Sequence, residues 1–99
     1  MNMHNPISSE GIRPVQARMA RAGLAMTIRQ LAQLTGLDKA TIVRFEMGHT
    51  VRRETVSRIR AALETAGARF LDGHDEDRAG VDVPLHSRLP ESDAEQSQQ

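Results

Sequence analysis

The chain has 99 residues and only two aromatic residues, so it forms one small domain with a marginal core. It has no cysteine, which excludes a disulfide framework and a thiolate metal site. The lack of cysteine fits the reducing cytoplasm, and the lack of a long apolar run excludes a membrane span. Residues 11–70 contain eleven basic and four acidic residues, and residues 71–99 contain two basic and eight acidic ones, so the first part suits a polyanion and the acidic end does not.

The N-terminal segment, residues 1–12, is polar and is predicted to be flexible. It also lacks the basic and then apolar order of a secretory signal. Helix 1 is predicted over about residues 14–25, because the proline at its start suits the first turn of a helix. Its apolar stripe is predicted to be Val15, Met19 and Ala22.

Helix 2 is predicted to follow Thr27, which is a good N-cap residue. Its contacts with the core are predicted to come from Leu31, Ala32 and Leu34. Gly36 then predicts a tight turn, because glycine accepts a positive φ without a Cβ penalty.

Helix 3 is predicted over residues 39–47, with Asp38 as its N-cap and Gly48 as its left-handed stop. Ile42 and Phe45 lie three residues apart on one face and are predicted to be buried. The opposite face is left free to meet a partner, and it carries Lys39, Ala40, Val43 and Arg44.

Helix 4 is predicted over about residues 53–66, where Val56, Ile59 and Leu63 recur at helical spacing before Gly67. The fold class is therefore mainly α, with four helices in a domain that spans residues 13–67.

A change of period after the fourth helix predicts a short β-hairpin over residues 68–83. Its strands are residues 68–71 and 81–83, and an acidic loop bounded by glycine separates them. This hairpin is a candidate dimerisation element, because an edge strand seeks a partner, and helix 4 is the alternative. Residues 84–99 are predicted to form a disordered acidic tail.

Residues 12–67 resemble the Cro/phage-repressor (XRE) family of helix-turn-helix regulators. The positions that carry the resemblance are Thr27, the pair Leu31-Ala32, Gly36, residues 38–41, Ile42, the pair Phe45-Glu46 and Gly48. The resemblance implies a lambda-repressor-like fold and a homodimeric transcriptional regulator, most often a repressor, that binds a palindromic operator in double-stranded DNA. One departure is Ile28, which stands where the family often has a DNA-contacting glutamine.

The resemblance also implies which residues touch DNA, with helix 3 in the major groove. The expected base contacts are Lys39, Ala40, Thr41, Val43 and Arg44. The expected phosphate contacts are Arg18, Arg21, Thr27, Arg29, Arg52 and Arg53. No cofactor and no metal ion are expected.

Other functions remain to be weighed against DNA binding. Proteins of this family are often antitoxins, and residues 68–99 would then hold a toxin. An enzyme is not expected, because no nucleophile–base pair, phosphate loop or carboxylate dyad is visible. RNA binding is disfavoured by the scarcity of aromatic residues. The outlying arginines Arg58, Arg60 and Arg69 are equally well explained as a solvated face, and the acidic run at residues 74–77 as a solvated loop.

Overall fold

The computed structural model describes residues 11–71 and 77–86. Its elements in chain order are α1 (Pro14–Gly23), α2 (Ile28–Thr35), α3 (Lys39–Glu46), α4 (Arg53–Thr65), β1 (Arg69–Leu71) and β2 (Gly80–Asp82). This order confirms a mainly α fold of four helices followed by a β pair. The expectations for residues 1–10, for most of the acidic loop and for residues 87–99 lie outside the described residues.

The start of the ordered domain is earlier than the sequence predicts. Ile12 was assigned to the flexible N-terminal segment, but it is buried and belongs to the hydrophobic core. The end of α1 is also earlier, because Ala25 takes a left-handed φ of 57° that cannot continue a right-handed helix.

The buried face of α1 differs from the predicted stripe. Gln16, Ala17 and Ala20 are buried. The predicted stripe of Val15, Met19 and Ala22 was wrong, because the first and last are exposed and the middle one is half-buried. Gln16 explains the error: the amide Nε2 donates to the Gly80 carbonyl at 2.9 Å, so a polar residue is satisfied inside the core.

The start of α2 and the turn that follows α2 obey the predicted local rules. The Thr27 hydroxyl accepts a hydrogen bond from the Gln30 amide at 3.0 Å, and the Gln30 side chain accepts one from the Thr27 amide at 2.9 Å. Gly36 has a φ of 78°, as expected for this turn. Leu34 was predicted to be buried, and this was wrong because its side chain is 51% exposed.

The ends of α3 are set by Asp38 and Gly48. Asp38 holds the N-cap position with an extended backbone, but its carboxylate makes no capping hydrogen bond. Gly48 has a φ of 93° and ends the helix as predicted.

The core lies where the four helices meet. Its largest fully buried side chains are Leu24, Leu31, Ile42, Ile59 and Leu63. Helix α1 contacts α3, α4 and β2, and α2 contacts α3 and α4. Helix α3 is therefore supported from behind by two helices, which leaves one of its faces to solvent.

The hairpin is antiparallel, and Phe70 pairs with Val81 at its centre. Both of these side chains pack against the core, whereas Arg69, Leu71 and Asp82 are exposed. Helix α1 supports β2, so the hairpin is attached to the domain at that point. None of the helices in the described part combines the length and the apolarity needed to cross a bilayer.

Candidate nucleic-acid interface

The two faces of α3 are divided as the sequence predicts. Ile42 and Phe45 are buried in the core. The opposite face is exposed to solvent and consists of Lys39, Ala40, Val43 and Arg44. The structure thus brings four of the five predicted base-contacting residues onto one solvent-facing surface.

The fifth, Thr41, is half-buried at the side of this surface. It lines an open groove between α3 and the start of α4, together with Arg44, Thr50, Arg52 and Thr55. The guanidinium Nη2 of Arg44 donates to the Thr50 carbonyl at 3.4 Å, so Arg44 lies towards this groove. Leu37 and Val51 also line it, so the groove combines apolar side chains with two cations and three hydroxyl groups. The polar side chains among these suit an oxyanion such as a phosphate.

Met47 belongs to the same surface, although the sequence assigned it no role. It directly follows α3, and its side chain is 69% exposed. The sequence signal was its spacing, because residues 43 and 47 are one helical turn apart.

A buried ion pair fixes the end of α3 to α1. Glu46 is only 5% exposed, and its two carboxylate oxygens accept from Nε and Nη2 of Arg21, each at 2.8 Å. The third nitrogen of the guanidinium, Nη1, donates to the Met26 carbonyl at 3.2 Å. The hydrogen bond to Glu46 raises the pKa of Arg21 above its ordinary value, and the negative charge of Glu46 adds to this against an opposing effect of burial.

These contacts favour a structural role for Arg21 over the phosphate contact that the sequence suggests. Arg18 is different, because its side chain is exposed. Its Nη1 donates to the Glu46 carbonyl, which places the Arg18 guanidinium beside the C-terminal end of α3.

The remaining predicted phosphate contacts surround α3 on neighbouring elements. Arg29 is exposed in the first turn of α2, and Arg52 and Arg53 are exposed at the start of α4. Thr27 is also exposed, but its hydroxyl is already used in the N-cap of α2. Its backbone amide is used there as well, because it donates to the Gln30 side chain at 2.9 Å, so these contacts favour a structural role for Thr27.

Two of the outlying arginines make contacts within the domain. Arg60 pairs with Glu64 at 2.9 Å, donates to the Gly11 carbonyl at 3.1 Å and lies 5.5 Å from the centre of the Phe70 ring. Arg58 donates to the carbonyl of Thr35 at 3.4 Å. These contacts give both residues a structural role.

Within residues 11–71 and 77–86, no three His, Asp or Glu side chains come together as a metal-ion site. No protein-family model matches the chain, and no curated protein sequence shows significant similarity to it.

Proposed function

We propose that this protein binds double-stranded DNA sequence-specifically as a helix-turn-helix transcriptional regulator. The observation that carries the proposal is the division of α3, whose buried side is held by Ile42, Phe45 and the Glu46–Arg21 pair. Its other side is free and combines two cations with small apolar side chains. Because its buried side is fixed by packing, α3 can present its exposed side in a defined orientation to a DNA groove.

The exposed face of α3 matches what the major groove offers. The groove is wide enough for an α-helix, and each base pair presents a distinct pattern of donors, acceptors and methyl groups there. Lys39 and Arg44 are donors suited to guanine O6 and N7. Ala40 and Val43 are suited to thymine methyl groups, and Thr41 to a base edge or a phosphate.

The flanking cations are suited to the phosphate backbone and would fix the register of α3 without reading sequence. Arg29, Arg52 and Arg53 lie on the elements directly before and after α3. The N-terminal end of α2 adds backbone donors, because the capping box uses the amides of Thr27 and Gln30 and leaves those of Ile28 and Arg29 for an anion.

One protomer reads too little DNA to be selective. Helix α3 has eight residues and is about 12 Å long, which is only a few base pairs. A symmetric dimer on a palindromic operator solves this problem, with the hairpin or α4 as the contact between protomers. In the cytoplasm such a dimer would repress the promoter that its operator overlaps.

The proposal is tested by selecting bound sequences from a random duplex DNA library at near-physiological salt. We expect an enriched palindrome for the wild-type protein and none for the double variant Lys39→Ala/Arg44→Ala. Arg13→Ala is the matched control, because Arg13 is exposed just before α1, outside α3 and outside both candidate contacts between protomers. Weak, salt-sensitive binding by wild-type protein without any enriched sequence would contradict the proposal.

A second candidate function is suggested by charge. Residues 71–99 contain eight acidic and two basic residues beside a basic domain, which suits a segment that binds a cationic protein. The protein would then be an antitoxin that also regulates its own operon. Co-purification with the product of a neighbouring small reading frame, lost when residues 87–99 are deleted, tests this function.

A further inference from the structure

We propose that the apolar row Ala40, Val43 and Met47 makes this protein a reader of thymine methyl groups. The row would add a preference for A·T pairs to the guanine contacts proposed for Lys39 and Arg44. This inference rests on the proposed function and assigns the chemistry that α3 recognises.

The three side chains form a continuous line on the free side of α3. They are spaced by three and four residues, which places them above one another on a helix. Ala40 is exposed, Val43 is 39% exposed and Met47 is 69% exposed. The exposure increases towards the C-terminal end of the helix, where the longest and most adaptable of the three side chains lies.

The charges around the row indicate what kind of surface it can bind. Lys39 and Arg44 flank it, and both side chains are exposed. Glu46, the only acidic residue in α3, is buried and paired with Arg21, so its charge is neutralised behind the helix. An apolar row between cations fits a surface that is anionic overall but carries apolar groups, and the major groove with its thymine methyls is such a surface.

The absence of certain side chain types from α3 also points to thymine methyl groups. Among the eight residues of α3 there is no Asn or Gln, which are the residues that recognise adenine through two hydrogen bonds. Helix α3 therefore recognises an A·T pair through the methyl group on the thymine. Val43 and Met47 provide the apolar contact area for this.

The test replaces each thymine of a selected duplex by deoxyuridine, which removes the methyl group and keeps the base pair. We expect wild-type binding to weaken roughly four-fold for each methyl that is buried, as the transfer of one such group predicts. Val43→Ala and Met47→Ala should each lose this sensitivity at a different thymine. Leu34→Ala is the matched control, because Leu34 is a similarly exposed apolar residue on α2, and it should keep the full sensitivity.

The outcomes separate this inference from the proposed function. Equal binding of thymine and uracil duplexes by the wild-type protein would overturn the inference and leave sequence-specific DNA binding standing. A failure to enrich any sequence in the first selection would overturn the proposed function itself.

Discussion

Arg44 connects the two parts of the proposed interface. It lies on the exposed face of α3 beside the apolar row, and it also reaches the Thr50 carbonyl in the groove that Arg52 lines. From the first position it can read a guanine, and from the second it can hold a phosphate. A contact with guanine contributes to sequence specificity, whereas a contact with a phosphate fixes the position of the protein without reading sequence.

We predict that Arg44→Ala weakens binding to the selected operator by about 1–3 kcal/mol and relaxes the preference at one base position. The physical reason is the loss of a forked donor to guanine O6 and N7. Competition binding with all four base pairs at each operator position measures both effects. Arg13→Ala, at an exposed arginine just before α1, should leave the preference unchanged. Equal losses on specific and random DNA would assign Arg44 to a phosphate.

Glu46 and Arg21 determine how firmly α3 is held. We predict that Glu46→Gln lowers the free energy of unfolding by about 2 kcal/mol, because it weakens two charge-assisted hydrogen bonds at a buried site. Urea unfolding measures this change. The matched control is Glu54→Gln, which removes an exposed pair with Arg58 at 3.7 Å and should cost less than about 1 kcal/mol. Similar losses for both variants would contradict the structural role of the buried pair.

The pKa of Arg21 gives the sign of the pH dependence of this pair. Glu46 raises that pKa above its ordinary value, so the contribution of Arg21 to stability is complete below the unfolded-state pKa. It is lost only when the pH rises through the still higher folded-state pKa. Titration of Arg21 therefore leaves the stability of the domain unchanged across the neutral range.

At the scale of single elements, the sequence predicted what local chemistry determines. The N-cap at Thr27 and the turn glycines Gly36 and Gly48 depend on hydrogen bonds and φ angles within a few residues, and all three were correct. The burial of Ile42 and Phe45 was also correct, because a short amphipathic helix has only one orientation that buries both.

The predictions of burial were wrong where contacts with distant parts of the chain determine whether a side chain is buried. Gln16 is buried because carbonyl groups of the hairpin accept its side-chain hydrogen bonds, and no local pattern reveals partners more than 50 residues away. Leu34 is exposed because α2 turns only one side to α3 and α4. Met47 was missed although its spacing from Val43 was visible, because it lies at the end of α3, where helix boundaries are defined only to within one or two residues.

Gly23 allows the Val83 side chain, just after β2, to lie close to the end of α1. A Cβ added at Gly23 would lie 2.8 Å from Val83 Cγ2, which is too close for two carbon atoms. We predict that Gly23→Ala destabilises the protein by about 1 kcal/mol, because this clash outweighs the better helix propensity of alanine. Thermal or urea unfolding measures the change.

The same substitution in a Val83→Ala protein tests whether the contact with Val83 causes the destabilisation. In Val83→Ala protein the clash is absent, so the same Gly23→Ala substitution should raise stability by roughly 0.5 kcal/mol through helix propensity alone. The expected result is thus a change of sign between the two backgrounds. Destabilisation in both would mean that Val83 is not what excludes a side chain at Gly23.

At the scale of the whole molecule, the charges are divided along the sequence into a basic part and an acidic part. The formal net charge is zero, yet residues 11–70 have eleven basic and four acidic residues. Exposed arginines at residues 18, 29, 52 and 53 lie on the three helices around α3 or just before them. Under the proposed function, these arginines attract the phosphates, because residues 11–70 carry the excess of positive charge.

Under the proposed function, the number of protomers bound to one duplex decides how specific the binding is. A single α3 is about 12 Å long, and specific proteins must gain roughly 4–10 kcal/mol over non-specific DNA, which a few base pairs do not supply. We predict that two protomers bind one selected duplex, with half-sites about 34–36 Å apart. Sedimentation equilibrium of the complex measures the stoichiometry. A duplex of equal length with one half-site scrambled should bind at least about a hundredfold more weakly, because the second helix then meets only phosphates. One protomer bound with equal affinity to both duplexes would show that a single domain reads its operator alone.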